Sequence, residues 1–444
     1  MRQFVFISMA FRFLGIGSGK SVSNARKSLL GAVLGIGISI VPVVVVLIVS
    51  DGMIEGITSR TVELGTGHLQ LVNMRIFSEL KNCETEKEAK KILSENLEND
   101  FFKDAWIERQ GNGLIIGKNG RSGGTIRAIE PEFFLKNGNV KKLIKIIDGK
   151  LEFETERSVI LGKKIAESLE LKAGDVCRVI TLNKNKKGNT VPKVSSFTVS
   201  GIISSGYQEL DSLWVFIPLE QGIKIMPVTS SFTSVLISTE NPFDEVKLNE
   251  LYFKLNKILP DNFTVYTWKD LNRTSFITFA TTKNILMFIM FLIVLVASAN
   301  ISSAVVMLVM ERRREIAILK ATGTPPSSIT LSFLFAGFLT GLGGIIFGMP
   351  LGILAALHIN EIFSFIEKLL NYLQNFFYSV FAGGVPLEIH ILDPAFYLES
   401  IPVIIDFKEL YLIAVSMLIL SVAVCIIPAL RAGKERPIEI MRKL

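Results

Sequence analysis

The stretch from Leu29 to Val49, LLGAVLGIGISIVPVVVVLIV, decides the fold class. It is apolar apart from Ser39 and long enough for the ~20 residues a helix needs to cross a hydrocarbon core. Pro42 falls inside it, where neighbouring groups in a membrane helix can satisfy the freed carbonyl, and a kink is expected there. Three runs of the same kind follow, Ile285 to Met310, Ile329 to Ile359 and Leu410 to Leu430. The chain has 444 residues, is 49% hydrophobic and 20% charged, and has a mean hydropathy of +0.44. That is too apolar for a soluble protein and too charged for one made only of spans. The expected architecture is an α-helical membrane protein with four transmembrane helices and a large α+β domain between the first and second.

Orientation follows from lysine and arginine, which hold short flanking loops on the cytoplasmic side. Arg2, Arg12, Lys20, Arg26 and Lys27 precede the first run; Arg312, Arg313, Arg314 and Lys320 separate the second from the third; Arg431, Lys434, Arg436, Arg442 and Lys443 follow the fourth. The segment after the third run carries Glu361, Glu367, Glu388, Asp393, Glu399 and Asp406 instead. Both termini are therefore expected in the cytoplasm of a multi-pass inner-membrane protein. The expected boundaries are an amphipathic cytoplasmic segment over 1–28, spans at 29–50, 283–310, 327–359 and 409–430, an outside domain at 51–282, a cytoplasmic connector at 311–326, an outside loop at 360–408 and a cytoplasmic tail at 431–444. The net charge of +7 sits in these short blocks, not in one stripe, so nucleic acid is not an expected partner. No cleavage site follows the first run, which argues against a signal peptide, and Phe4 to Leu14 reads as an interfacial helix.

The outside domain alternates in polarity, with strand-like runs bounded by glycine, asparagine and proline. Two β-α-β units are expected in a subdomain over about 60–110 and 230–270. The first is a strand at His68–Val72, a helix at Thr85–Leu97 and a strand at Ala105–Arg109. The second is Ser234–Ser238, Phe243–Leu259 and Phe263–Trp268. A β-rich insert occupies about 111–226, and within it Thr181 to Ser196 has the composition of a projecting hairpin.

Gly15 to Ser21 imitates a phosphate-binding loop, but Gly15 and Gly19 enclose three residues where four are required, so a flexible basic flank is the better account. His68, His358 and His390 are far apart and no metal or catalytic constellation is legible. Of the three cysteines, Cys83 and Cys177 could form at most one bridge in the polar segment, and free thiols are expected. Gly337, Gly341, Gly344 and Gly348 recur on one helix face and predict close helix packing. Asn300 is best read as an amide bonding a neighbouring helix. Glu311 to Gly323 predicts a short amphipathic helix on which Ile316, Leu319 and Lys320 share a face with Arg312 and Arg313, suited equally to lying on lipid or docking a soluble partner.

At this connector the chain resembles the LolC/LolE family of lipoprotein-releasing ABC transporter permeases, within the type VII superfamily that includes MacB and FtsX. Trp268–Asn272, Glu311–Gly323, Ile427–Ala432 and Arg436–Glu439 carry the resemblance, with Ile160–Ala166, Leu171–Asp175, Val199–Ile202 and Tyr397–Val403. The resemblance implies a permease that extracts lipoproteins from the outer leaflet and passes them toward a periplasmic carrier. Two permeases, identical or homologous, would pair around a cavity and be driven by a cytoplasmic ABC ATPase dimer. It implies no cofactor on this chain, ATP and Mg belonging to the ATPase subunits, and no enzymatic activity of its own.

By the same resemblance Glu311, Arg312, Arg313, Glu315, Ile316, Leu319 and Lys320 would form the helix coupled to the ATPase. Val45, Val49, Met53, Met287 and Met290 would contact lipid in the cavity, methionine being deformable around a mobile chain. Lys184, Lys186, Lys187 and Pro192 would dock a carrier, on a hairpin shorter and richer in lysine than the family pattern. Phe363 to Val385 is long for the family's last outer loop, and its aromatic residues suit a helix lying on the outer leaflet. A MacB-like efflux permease and an FtsX-like non-transporting regulator are the alternatives, the first requiring an adaptor and the second usually having a smaller outside domain.

Overall fold

The computed structural model describes residues 24–73, 83–97, 101–184, 190–227, 230–377, 398 and 400–434. The expected interfacial helix at Phe4–Leu14, the Gly15–Ser21 stretch and residues 435–444 lie outside these. The chain divides into two units, one drawn from Met1–Gly52, Phe279–Pro386 and Ile401–Leu444, the other from Met53–Thr278 and Leu387–Ser400.

The first unit is helical. In chain order its helices are α1 (Asn24–Arg60), α2 (Arg273–Glu311), α3 (Arg313–Ala321), α4 (Pro326–Leu357), α5 (Ile359–Phe377) and α6 (Phe407–Lys434). Four of them, α1, α2, α4 and α6, are long and apolar enough to cross a membrane. The 37 residues of α1 and 39 of α2 correspond to about 55 and 58 Å of helix at 1.5 Å per residue, well beyond the ~30 Å hydrocarbon core. Hydropathy marks only the middle of each, which is why α2 starts a dozen residues before the apolar run. Helix α1 continues unbroken through Pro42.

The glycine stripe of α4 is a packing seam. A Cβ at Gly341 would lie 2.5 Å from Ser421 Oγ of α6, and at Gly344 or Gly348 it would lie 2.5 Å from Ile36 Cγ2 or Gly37 O of α1. One face thus serves two neighbours, α6 along its first half and α1 along its second.

The second unit is built on one ten-stranded sheet: β1 (Leu69–Asn73), β2 (Phe102–Ile116), β3 (Arg121–Ile129), β4 (Lys145–Gly149), β5 (Ser158–Gly162), β6 (Val176–Lys184), β7 (Thr190–Ser204), β8 (Trp214–Pro218), β9 (Ser231–Thr239) and β10 (Phe263–Thr267). Two β-α-β units are present, with helices Glu84–Asn96 and Glu245–Ile258, and their strands interleave antiparallel as β10-β1-β9-β2. Alternation sets the two faces. Leu71, Ile107, Val235 and Val265 pack under Leu93, Leu251 and Leu255 of those helices, while Trp106 and Leu236 point oppositely into a cluster with Phe133, Phe134 and Phe216.

The insert is a continuation of that sheet and not a separate layer. Strand β2 pairs with β9 as far as Gly111 and runs on to Ile116 beside β3 and β6. Gly111 looks like punctuation in the sequence. In the strand it permits close approach, since a Cβ there would lie 3.0 Å from Met226 Sδ. Leu398, between α5 and α6 in the chain, is buried and bridged to Tyr207 of this unit. Cys83, Cys177 and Cys425 are buried free thiols.

Candidate functional site

Within the helical unit an apolar cavity of about 560 Å³ opens between α1, α2 and α6. Val43 and Leu47 of α1, Met287, Met290, Phe291 and Val294 of α2, and Leu412, Ile413, Ser416 and Ile419 of α6 line it, with Glu409 at one end. Met287 is 44% exposed and Met290 8%. Val45, Val49 and Met53 do not line it. Two residues at ~100° each place them about 200° around the helix from Val43, Leu47 and Asp51, on the side of α1 away from this cavity.

Three ionisable residues meet beside this cavity, two inside α1 and α2 and the third in the first turn of α6. Lys283 Nζ of α2 lies 2.6 Å from Asp51 Oδ1 of α1 and 2.8 Å from Glu409 Oε1 of α6. One ammonium is shared by two carboxyl groups, and Glu409 Oε2 is buried with no hydrogen-bond partner among the described residues. Gly52 beside Asp51 has no Cβ because the Pro402 carbonyl occupies that space. Sequence reasoning missed this cluster. Its signal is three charges at the same end of three spans, where ionisable residues pair across helices.

The connector is α3. Gly323, at φ +92°, terminates it with a left-handed turn in which Thr324 N–H donates to Leu319 O at 3.0 Å and Gly323 N–H to Lys320 O at 3.0 Å, and Pro325 and Pro326 open α4. Its two faces differ. Ile316 and Ala317 are fully buried, Ile316 in the core of the helical unit with Leu319 packed against it, and Lys320 Nζ donates to Gly433 O of α6 at 2.5 Å. Arg312 Nη1 pairs with Glu315 Oε1 at 2.5 Å. Glu311, Arg313, Arg314, Glu315 and Ile318 are exposed.

In the second unit the turn Thr61–Thr66 that follows α1 is fastened to the sheet by buried polar groups. Arg127 donates to both carboxylate oxygens of Glu108 and to the carbonyls of Leu64 and Gly65, with its guanidinium 4.8 Å from the Trp214 ring centroid. Thr239 N–H donates to His68 Nδ1 at 2.7 Å. In the neutral ring the proton is then on Nε2, which faces Glu63 Oε2 at 3.0 Å.

The expected hairpin is the β6–β7 pair, in register from Val176 opposite Thr198 to Lys184 opposite Thr190. Val176, Ile180 and Leu182 share one face with Pro192 and Val194, and Val176, Leu182 and Val194 are 62%, 56% and 57% exposed. Pro192 is exposed on that strip, whereas Lys186 and Lys187 and the Lys184 side chain lie outside the described residues.

Residues 29–251 match the MacB-like periplasmic core domain and residues 287–437 the FtsX-like permease C-terminal region. The chain belongs to this permease family. Within it the chain groups with LolC and LolE. The lipoprotein-releasing system transmembrane protein LolC of Neisseria meningitidis serogroup B is 25% identical over 421 residues, 93% of each chain. LolC of Haemophilus influenzae is 25% identical over 427 residues, covering 96% of this chain and 94% of the relative. Among solved structures, the periplasmic region of MacB from Actinobacillus actinomycetemcomitans matches 48% of this chain and 94% of its own, with 14% identity and a TM-score of 0.31.

Proposed function

We propose that this chain is the permease subunit of an inner-membrane ABC transporter that extracts lipoproteins from the outer leaflet and hands them to a periplasmic carrier. The observation that carries this reading is the end-to-end likeness to relatives named as lipoprotein-releasing system transmembrane proteins. The apolar cavity suits an acyl chain. Each methylene moved from lipid to water costs about 0.8 kcal/mol, so extraction needs a driven step. ATP and Mg would be held by a separate cytoplasmic ATPase dimer engaging the exposed side of α3, and both termini would be cytoplasmic. A second permease, identical or homologous, is supported by Asn300, an amide on the exposed face of α2 that is poorly suited to facing lipid. The exposed apolar strip of the β6–β7 hairpin suits an apolar partner such as a carrier.

The test is to purify the chain with its partners from native membranes and identify bound proteins and lipidated substrates by mass spectrometry. An ABC ATPase with lipoproteins is the expected result. An ATPase with a tunnel adaptor and no lipoprotein would point to efflux, and no ATPase at all would overturn the transporter reading.

A further inference from the structure

We propose that α5 is a lipid-binding helix, lying in the membrane surface with its apolar half among the acyl chains at the end of α4. Chain continuity places it there. Helix α4 ends at Leu357 and α5 begins at Ile359, leaving only His358 between a span and this helix. The start is then fixed. Asn360 Nδ2 donates to Ile401 O at 3.0 Å and Ile401 N–H donates to Asn360 Oδ1 at 2.9 Å, tying the first turn of α5 to the strand of chain that leads into α6 at Phe407. Both neighbours of α5 are thus anchored to spans at one membrane edge.

The sequence of α5 divides cleanly. At ~100° per residue, Ile362, Phe365, Ile366, Leu369, Leu370 and Leu373 occupy one half of the helix, and Glu361, Ser364, Lys368, Asn371 and Asn375 the other. Within the described residues the apolar half is open, Phe365 being 66% exposed, Leu369 45% and Leu373 44%. A helix with a full polar half cannot cross the bilayer without desolvating Glu361, Glu367 and Lys368, so it lies in the interface, where the apolar side sinks about 5–10 Å. With two acidic residues against one basic, electrostatic attraction contributes little, and burial of the apolar face alone provides the affinity. Zwitterionic lipid is therefore a sufficient partner. The inference needs only that α4 spans a membrane and does not depend on what the permease carries.

The full chain is reconstituted in phosphatidylcholine vesicles after single cysteines are introduced as Leu369→Cys or Lys368→Cys and labelled with a fluorophore. The native cysteines, all buried, stay in place. Nitroxide attached near the head of the lipid acyl chain should quench the Leu369→Cys site several-fold more than the Lys368→Cys site, and aqueous iodide should show the reverse order. Ile366→Cys serves as a second apolar-face site should Leu369→Cys fold poorly. Equal iodide access at both faces would overturn the inference, and so would an apolar-face label shielded from both quenchers, which would mean that protein covers it.

Discussion

Arg127 Nη2 lies 2.9 Å from Glu108 Oε2 in the second unit, with both side chains no more than 2% exposed, while the same guanidinium holds the carbonyls of Leu64 and Gly65. One cation therefore ties the turn after α1 to the middle of the sheet. Desolvating both charges offsets much of their attraction, but removing one partner strands the other at a cost of about 3–5 kcal/mol. Arg127→Leu should destabilise this unit by that amount, and Arg127→Leu with Glu108→Leu should recover most of it. Trp106, Trp214 and Trp268, the three tryptophans of the chain, all belong to this unit, so denaturant unfolding followed by tryptophan emission reports on it selectively. A single variant within about 0.5 kcal/mol of the parent would show that the pair is not structural.

The cavity makes a prediction about substrate, not about folding. Met290 is 8% exposed and lines it, whereas Leu295 on the same helix is 44% exposed and does not. Met290→Trp fills space an acyl chain would occupy, and a loss of about 1.4 kcal/mol of binding corresponds to a tenfold loss of affinity. In the reconstituted transporter, lipoprotein-stimulated ATP hydrolysis should fall by about that factor with basal hydrolysis retained, and Leu295→Trp should change neither. Equal effects of the two substitutions would remove the cavity from the substrate path.

Spans and the two β-α-β units were legible because each rests on local periodicity: an apolar run, or alternation followed by a 3.6-residue repeat. What escaped depends on contacts distant in sequence. Nothing near Asp51 signals Lys283 or Glu409, and the Val45–Val49 face of α1 is as apolar as the Val43–Leu47 face that lines the cavity. Nothing in the sequence around Arg127 marks it, since its partners lie 19 and 62 or more residues away. The hairpin strip was hidden for a similar reason: its apolar residues become one surface only through the β6–β7 register.

Burial pushes the Cys177 thiol up from 9.0 to about 11. An acid whose folded pKa is raised keeps its proton longer than in the unfolded chain, so the stability it contributes is present below pH 9 and is lost as pH rises from 9 toward 11. At about 1.4 kcal/mol per unit, the loss amounts to roughly 2–3 kcal/mol across that window. Unfolding of the parent and of Cys177→Ala, compared from pH 8 to 11, should show the parent falling more steeply by that amount. Parallel pH profiles would show that Cys177 is not held protonated by the fold.

Helix α3 has one anchored face and one open face, and the difference separates coupling from folding. Ile316 is wholly buried in the helical unit, while Ile318, two residues on, is 51% exposed. Placing a charge at Ile316 buries it without a partner, a cost of several kcal/mol. Ile316→Glu should therefore lower the yield of folded chain, and its loss of activity would say nothing about the ATPase. Ile318→Glu sits at the surface, where substitutions usually change stability by about 0.5 kcal/mol or less, so the chain should fold normally. If the exposed face of α3 seats the ATPase, Ile318→Glu should weaken co-purification of that subunit by about tenfold or more, the scale of one lost apolar contact, at unchanged thermal stability. Normal ATPase binding by Ile318→Glu, together with loss of binding only in variants that fail to fold, would move the docking surface off this helix.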